Sequence, residues 1–251
     1  MALFKSGNPA LSEKAFAKSI SVPYGEAMTV NGTLNKFGIL FLLTMATAGY
    51  AWKMFYSGVD VTTYMWVSIF GGIGIALVIA FKMEWSAYLA PIYALVKGFA
   101  IGAISAFYNF AFEKIAPDII TQAVALTFGV AISMFLLYKF NIIKATPTFK
   151  KIIITATMGI AVFYLIAIGL HFVNIDIPFL HEGSTFGIIF SLVVVGLAAM
   201  NLILDFDMIE NGAKAGAPKY MEWYGAFGLL VTIVWLYLEI LRLLSKFASR
   251  K

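Results

Sequence analysis

The residues of this 251-residue chain best suited to chemistry are acids set against hydrocarbon. An apolar run from Phe186 to Leu204 leads directly into Asp205-Phe206-Asp207, with Glu210 one turn later. A polar hairpin is expected from Asn211 to Lys219, and the next apolar run carries Glu239 between Leu238 and Ile240. An Asp at the centre of a membrane helix is disfavoured by about 2.5–3.5 kcal/mol on insertion scales. The chain has only 13 acids, so placing several here points to a use for them. Carboxylates are hard oxygen ligands of the kind Ca²⁺ prefers, and they also take up and release protons. Cation passage and proton sensing are the chemistry these residues suggest.

Spacing refines the picture. Asp205 and Asp207 point about 200° apart on a helix and cannot face one cavity together. Asp207 and Glu210 share one face; Asn201 and Asp205 share another. One face is expected to look inward and the other toward the interface or neighbouring helices. The plainer alternative is that these acids only mark the aqueous end of the sixth span. Glu239 lies ~24 Å beyond Trp223 along a helix, toward the opposite membrane face, and Arg242 three residues on can pair with it locally. Lys97, in the middle of the third span, is too deep to snorkel easily. It calls for an acid partner, with Glu239 and Asp207 as the candidates, or for a water-filled cavity.

These side chains must be positioned by membrane helices. The chain is 61% hydrophobic and 12% charged, against about 25% charged in soluble domains. A span needs about 20 apolar residues, and seven are expected: 34–55, 62–81, 87–110, 119–138, 152–173, 185–205 and 220–244. Uniform apolarity argues helices and not the alternating segments of a barrel. A polar, amphipathic segment, residues 1–33, precedes a seven-helix domain over 34–251, and it lacks the apolar core of a signal peptide.

Lysine placement sets the expected orientation. With the N-terminus inside, Lys5, Lys14, Lys18, Lys36, Lys82, Lys139, Lys144, Lys150, Lys151, Lys214 and Lys219 fall on the inner side, and only Lys53 and Lys114 on the outer loops. The basic C-terminal tail (Arg242, Lys246, Arg250, Lys251) falls outside in this arrangement and runs against the rule. On the third span, Ala94, Gly98, Gly102 and Ala106 form a small-residue stripe that lets helix backbones approach closely. Packing within the chain is the first expectation for it, and a dimer seam the second.

Enzyme motifs fail on inspection. There is no cysteine, and only two histidines, His171 and His181. His181-Glu182-Gly183-Ser184-Thr185 has Thr185 where a zinc protease needs its second ligand, and Gly71-Gly72-Ile73-Gly74 lacks the Lys of a phosphate loop. No catalytic residue, cofactor or nucleic-acid partner is expected. The bilayer, calcium and protons are.

The stretch Asn201-Leu-Ile-Leu-Asp-Phe-Asp-Met-Ile-Glu210, the hairpin Gly216-Ala-Pro-Lys-Tyr-Met-Glu222 and Trp235-Leu-Tyr-Leu-Glu-Ile-Leu-Arg-Leu-Leu244 resemble the C-terminal part of the Bax inhibitor/YccA-like (TMBIM) transmembrane family. Leu89-Ala-Pro-Ile-Tyr-Ala-Leu95 and Gly98-Phe-Ala-Ile-Gly102 resemble its third span. The opening, Ala2 to Pro9 and Met28 to Thr33, is similar to a bacterial branch. The resemblance implies an all-α integral membrane protein of seven helices with the seventh central. It also implies a pH-sensitive calcium leak gated by an aspartate pair near the cytosolic mouth. Asp207 matches the sixth-helix member of that pair. The seventh-helix member is Glu239 if an insertion is allowed, whereas a gapless match puts Val231 there. Lys82 is the counterpart of the family's basic second-helix residue.

The expected function is thus a pH-sensitive calcium leak of the bacterial inner membrane, N-terminus cytoplasmic. Asp207 is its gate and weak, transient calcium ligand, and Asp205, Glu210, Glu239, Lys82 and Lys97 lie along the ion pathway. The alternatives are a proton-coupled secondary transporter and a membrane interaction protein that modulates stress responses or proteolysis.

Overall fold

Thr29 opens the first helix. Its backbone is extended (φ −128°, ψ 152°), and its Oγ1 accepts the Gly32 N–H at 2.9 Å, which satisfies one of the donors every helix start leaves over. In the computed structural model, which describes residues 27–173 and 183–250, seven helices follow in order. They are α1 (Val30–Tyr56), α2 (Thr62–Phe81), α3 (Ser86–Phe112), α4 (Ile119–Lys139), α5 (Pro147–Phe172), α6 (Thr185–Lys214) and α7 (Met221–Ala248). All seven are long and apolar enough to cross a membrane, and among the described residues there is no strand, only an isolated bridge between Ala27 and Pro218. Most of the polar N-terminal segment and the loop holding His181 lie outside the described residues.

The observed boundaries depart from expectation where caps act. α5 starts at Pro147, not Ile152, because proline suits the first helical position and Thr146 Oγ1 accepts the Phe149 N–H at 3.2 Å. α6 runs on to Lys214, through the acids and half of the expected hairpin. What stops it is Gly216, at φ +69°, where the Gly216 N–H bonds Ala213 O at 3.2 Å and the Ala217 N–H bonds Gly212 O at 3.0 Å. That paired closure needs a left-handed residue, which glycine supplies without strain. Asp205 therefore stands well inside α6, not at its end.

The chain divides into two compact units. The first comprises residues 27–110 and 205–231: α1, α2, most of α3, the end of α6 and the start of α7. Its seam is the small-residue stripe. A Cβ on Gly98 would overlap the backbone of Thr44, and one on Gly102 that of Ala48. Thr44 Oγ1 also donates to Ala94 O at 3.2 Å. The stripe is thus closed within the chain, by α1. A cluster of Ala51, Val61 and Ala103 sits under Phe55, Phe99 and Phe107, and Tyr93 meets Phe227 edge-on at 4.8 Å between ring centres.

The second unit comprises residues 111–204 and 232–250. Its core joins Ile153 of α5, Leu197 and Leu204 of α6, and Trp235 of α7. Asn201, buried, donates to Thr157 Oγ1 at 2.8 Å and to Leu197 O at 2.9 Å. Lys246 is buried as well, and its Nζ donates to Gly187 O and Ser191 Oγ, both at 2.9 Å. α7 has the largest buried share of its apolar window, 67%, against 6% for α5.

Candidate functional site

The acidic turn of α6 splits as its spacing requires. Asn201 and Asp205 are both fully buried, whereas Asp207 and Glu210 are half-buried. Glu210 pairs with Lys214 one turn on, so it has the local, exposed partner of an ordinary helix surface. Asp205 has no exposed surface. A carboxylate held in such a place is expensive, and acids inside spans are usually functional.

The other predicted residues are dispersed. Lys82, in the connector between α2 and α3, is exposed and makes no ion pair among the described residues, so the Lys82–Asp207 contact is not formed here. Lys97 is half-buried with its stem near Gly72. Among the described residues Lys97 makes no ion pair. Glu239 is taken by its own helix: Arg242 Nη1 donates to both carboxylate oxygens at 2.8 and 2.9 Å. The Trp235 indole N–H adds a bond at 3.2 Å and the Tyr164 hydroxyl another at 2.9 Å. Arg242 also donates to the Tyr164 oxygen at 2.7 Å and lies 5.1 Å from the centre of its ring. A partner three residues away on a formed helix is already in place.

One charged residue escaped sequence reasoning. Glu222, in the first turn of α7, is fully buried. Its Oε1 accepts the Thr29 N–H at 2.8 Å and the Thr29 hydroxyl at 3.0 Å. Lys36 pairs with Oε2, and Lys219 lies 3.2 Å from Oε1. The carboxylate fills the space that a side chain on Gly32 would take. Lys36 also sits 5.5 Å from the centre of the Trp223 ring. Alongside, the Met28 N–H bonds Ala217 O at 2.7 Å, and the Ser86 hydroxyl donates to Tyr220 O at 3.1 Å. The only signal in the sequence was an acid at a helix start, where the helix dipole favours it. Nothing local named partners 186 and 193 positions away.

Among the described residues no three His, Asp or Glu side chains gather as a metal centre would need. The arrangement is therefore a helix long and apolar enough to cross a membrane, bearing one hidden carboxylate, Asp205, and two half-buried ones, Asp207 and Glu210, in the same unit as a buried ionic clamp. The Bax inhibitor 1 like family model matches residues 8–249, nearly the whole chain. The chain belongs to that family. The Bax inhibitor 1 like proteins are membrane proteins of channel or transporter type and are not known as enzymes or cofactor carriers. No curated protein and no solved structure matches the chain. In this Bax inhibitor 1 like chain Asp207, within Phe206-Asp207-Met208, is one of the two half-buried acids on α6, Glu210 being the other. Glu239, the carboxylate on the far half of α7, is engaged by Arg242, Tyr164 and Trp235.

Proposed function

We propose that this protein is a pH-sensitive leak channel for calcium or another hard cation, resident in a bacterial inner membrane with its N-terminus cytoplasmic. The acidic turn of α6 is its gate. The observation that carries this reading is Asp205, wholly buried within apolar α6 and followed two residues on by half-buried Asp207. Membership of a family of channel or transporter type supports it.

Asp207 is the group a cation and a proton both reach. Ionised, it offers oxygen ligands to a partly dehydrated ion; protonated, it loses its charge and releases its local contacts. One or two carboxylates make only a weak, transient site, and conduction requires an ion to leave as readily as it enters. The commitment of Glu239 to Arg242 favours a gate on α6 alone over a carboxylate pair shared with α7. Lys82, Lys97 and Glu210 tune the field around that gate.

The test is calcium entry into proteoliposomes across roughly pH 5 to 8, the range in which physiological switches work, with Asp207→Asn beside wild type. The expected result is a pH-dependent leak whose pH dependence is lost in the variant. An Asp207→Asn protein with the wild-type rate and pH profile would remove the gate from α6. Saturable, substrate-specific exchange would replace the channel by a proton-coupled transporter.

A further inference from the structure

Gly225 of α7 lies where three helices of the first unit meet. A Cβ placed on it would stand 3.1 Å from Thr33 Cγ2 of α1 and 3.2 Å from Ile209 Cγ1 of α6. Ile209 is one helical turn beyond Asp205 and on the same face, and Thr33 is one turn beyond Thr29. The Glu222 clamp grips Thr29 and Lys36 from the first turn of α7, three residues before Gly225. A line of neighbours therefore runs from Glu222 through Thr29 and Thr33 of α1, past Gly225 of α7, to Ile209 one turn beyond Asp205.

We propose that the Glu222 clamp is a latch that holds the acidic turn of α6 in its closed position. This inference deepens the channel reading above and, for its effect on flux, rests on it. We take the latched state as the closed one because only half-buried Asp207 of the acidic turn is open in it, while Asp205 has no exposed surface. Four donors converge on Glu222 from two parts of the chain: the Thr29 N–H and hydroxyl and Lys36 at the start of α1, and Lys219 in the loop before α7. The bridge between Ala27 and Pro218 ties the same two parts again. Releasing Glu222 leaves α1 tied to the α6–α7 connection only by that backbone bridge, loosens the packing of Thr33 and Ile209 about Gly225 and lets the acidic turn move.

Gly32→Ala breaks the latch sterically without altering any charge, since the new methyl claims the space of the Glu222 carboxylate. Glu222→Gln breaks it electrostatically and serves if the alanine variant fails to fold. Both are compared with wild type as the full chain in lipid nanodiscs, by amide hydrogen exchange, and in proteoliposomes, by calcium entry. The expected result is that amides of residues 205–214 exchange at least about fivefold faster in the variants and calcium entry rises by a similar factor, the low end of ordinary coupling between sites. If only the amides of residues 29–33 loosen while 205–214 keep their protection, the clamp is a local helix cap and the latch is wrong. Faster exchange with unchanged calcium entry, where wild type leaks, overturns it too. A wild type that admits no cation at any pH sinks the channel reading, and the exchange comparison then decides the latch by itself.

Discussion

The two halves of α7 each bury a carboxylate, and they satisfy it in opposite ways. Glu239 draws its bonds from its own neighbourhood: Arg242 three residues on, Trp235 four residues back, and one hydroxyl, Tyr164, from α5. Glu222 draws Thr29 and Lys36 from the far end of the chain, and one of its bonds is to a backbone N–H. The Arg242 and Trp235 bonds of the first arrangement form as soon as α7 does, and only the Tyr164 bond waits for α5. The second exists only when the first and last thirds of the sequence have come together. A local ion pair mainly neutralises a charge, whereas a distant one also fixes how elements are assembled.

The largest expected effect follows from that difference. Glu222→Ala removes the acceptor of a backbone N–H and leaves Lys36, with 18% of its side chain exposed, without its counter-charge. Loss of one partner of a buried pair costs about 3–5 kcal/mol, and the lower half of that range is expected here because the second cation, Lys219, has 44% of its side chain exposed. Glu239→Ala should cost less, about 2 kcal/mol, since Arg242 is 30% exposed and keeps the Tyr164 oxygen. Denaturant unfolding in mild detergent micelles measures both. A Glu239 variant as damaging as the Glu222 variant would break the contrast.

A smaller effect sharpens it. Where charge is the whole difficulty, removing both partners relieves it. The double variant Glu239→Leu/Arg242→Met should therefore recover about 1 kcal/mol relative to Glu239→Leu alone. The corresponding double variant at the other end, Glu222→Leu/Lys36→Met, should recover little, because the Thr29 N–H still lacks its acceptor. Equal recovery at both ends would mean that the Thr29 bonds contribute nothing.

The smallest effect belongs to Asp60, which makes the same kind of bond in water. Its Oδ1 accepts the Thr62 N–H at 2.9 Å, and that bond holds its carboxyl below the usual aspartate range. A folded-state pKa below the unfolded value means a stabilisation that is full above about pH 4, the ordinary Asp value. It is lost as pH falls through the depressed folded value. The stability difference between wild type and Asp60→Ala, followed down the acid limb in micelles, should shrink to nothing there. A difference that persists in acid would assign the effect to something other than the carboxylate.

The local part of the fold was open to reading. Seven apolar runs bounded by Ser57-Gly58, Thr146-Pro147 and Gly216-Ala217-Pro218 place seven helices, because hydrophobicity and turn chemistry act over a few residues. The Glu239–Arg242 pair and the split of Asn201 and Asp205 from Asp207 and Glu210 follow from helical periodicity in the same way. The length of α6 was misjudged because acids and amides do not end a helix; the left-handed Gly216 does. A partner for Lys97 could not be read because pairing across helices depends on which faces meet, and no pattern within one helix encodes that.

By itself, then, the sequence determined the class of protein, the number of spans, the family and the candidate acids, since each rests on composition or on residues a few positions apart. Only the tertiary structure decided that Asp205 is the buried member of its turn, that α1 closes the small-residue stripe of α3, and that Glu222 binds the start of α1. Those facts depend on contacts between segments far apart in the chain, and such contacts are settled by the packing of whole helix faces once hydrophobic burial has chosen which faces turn inward.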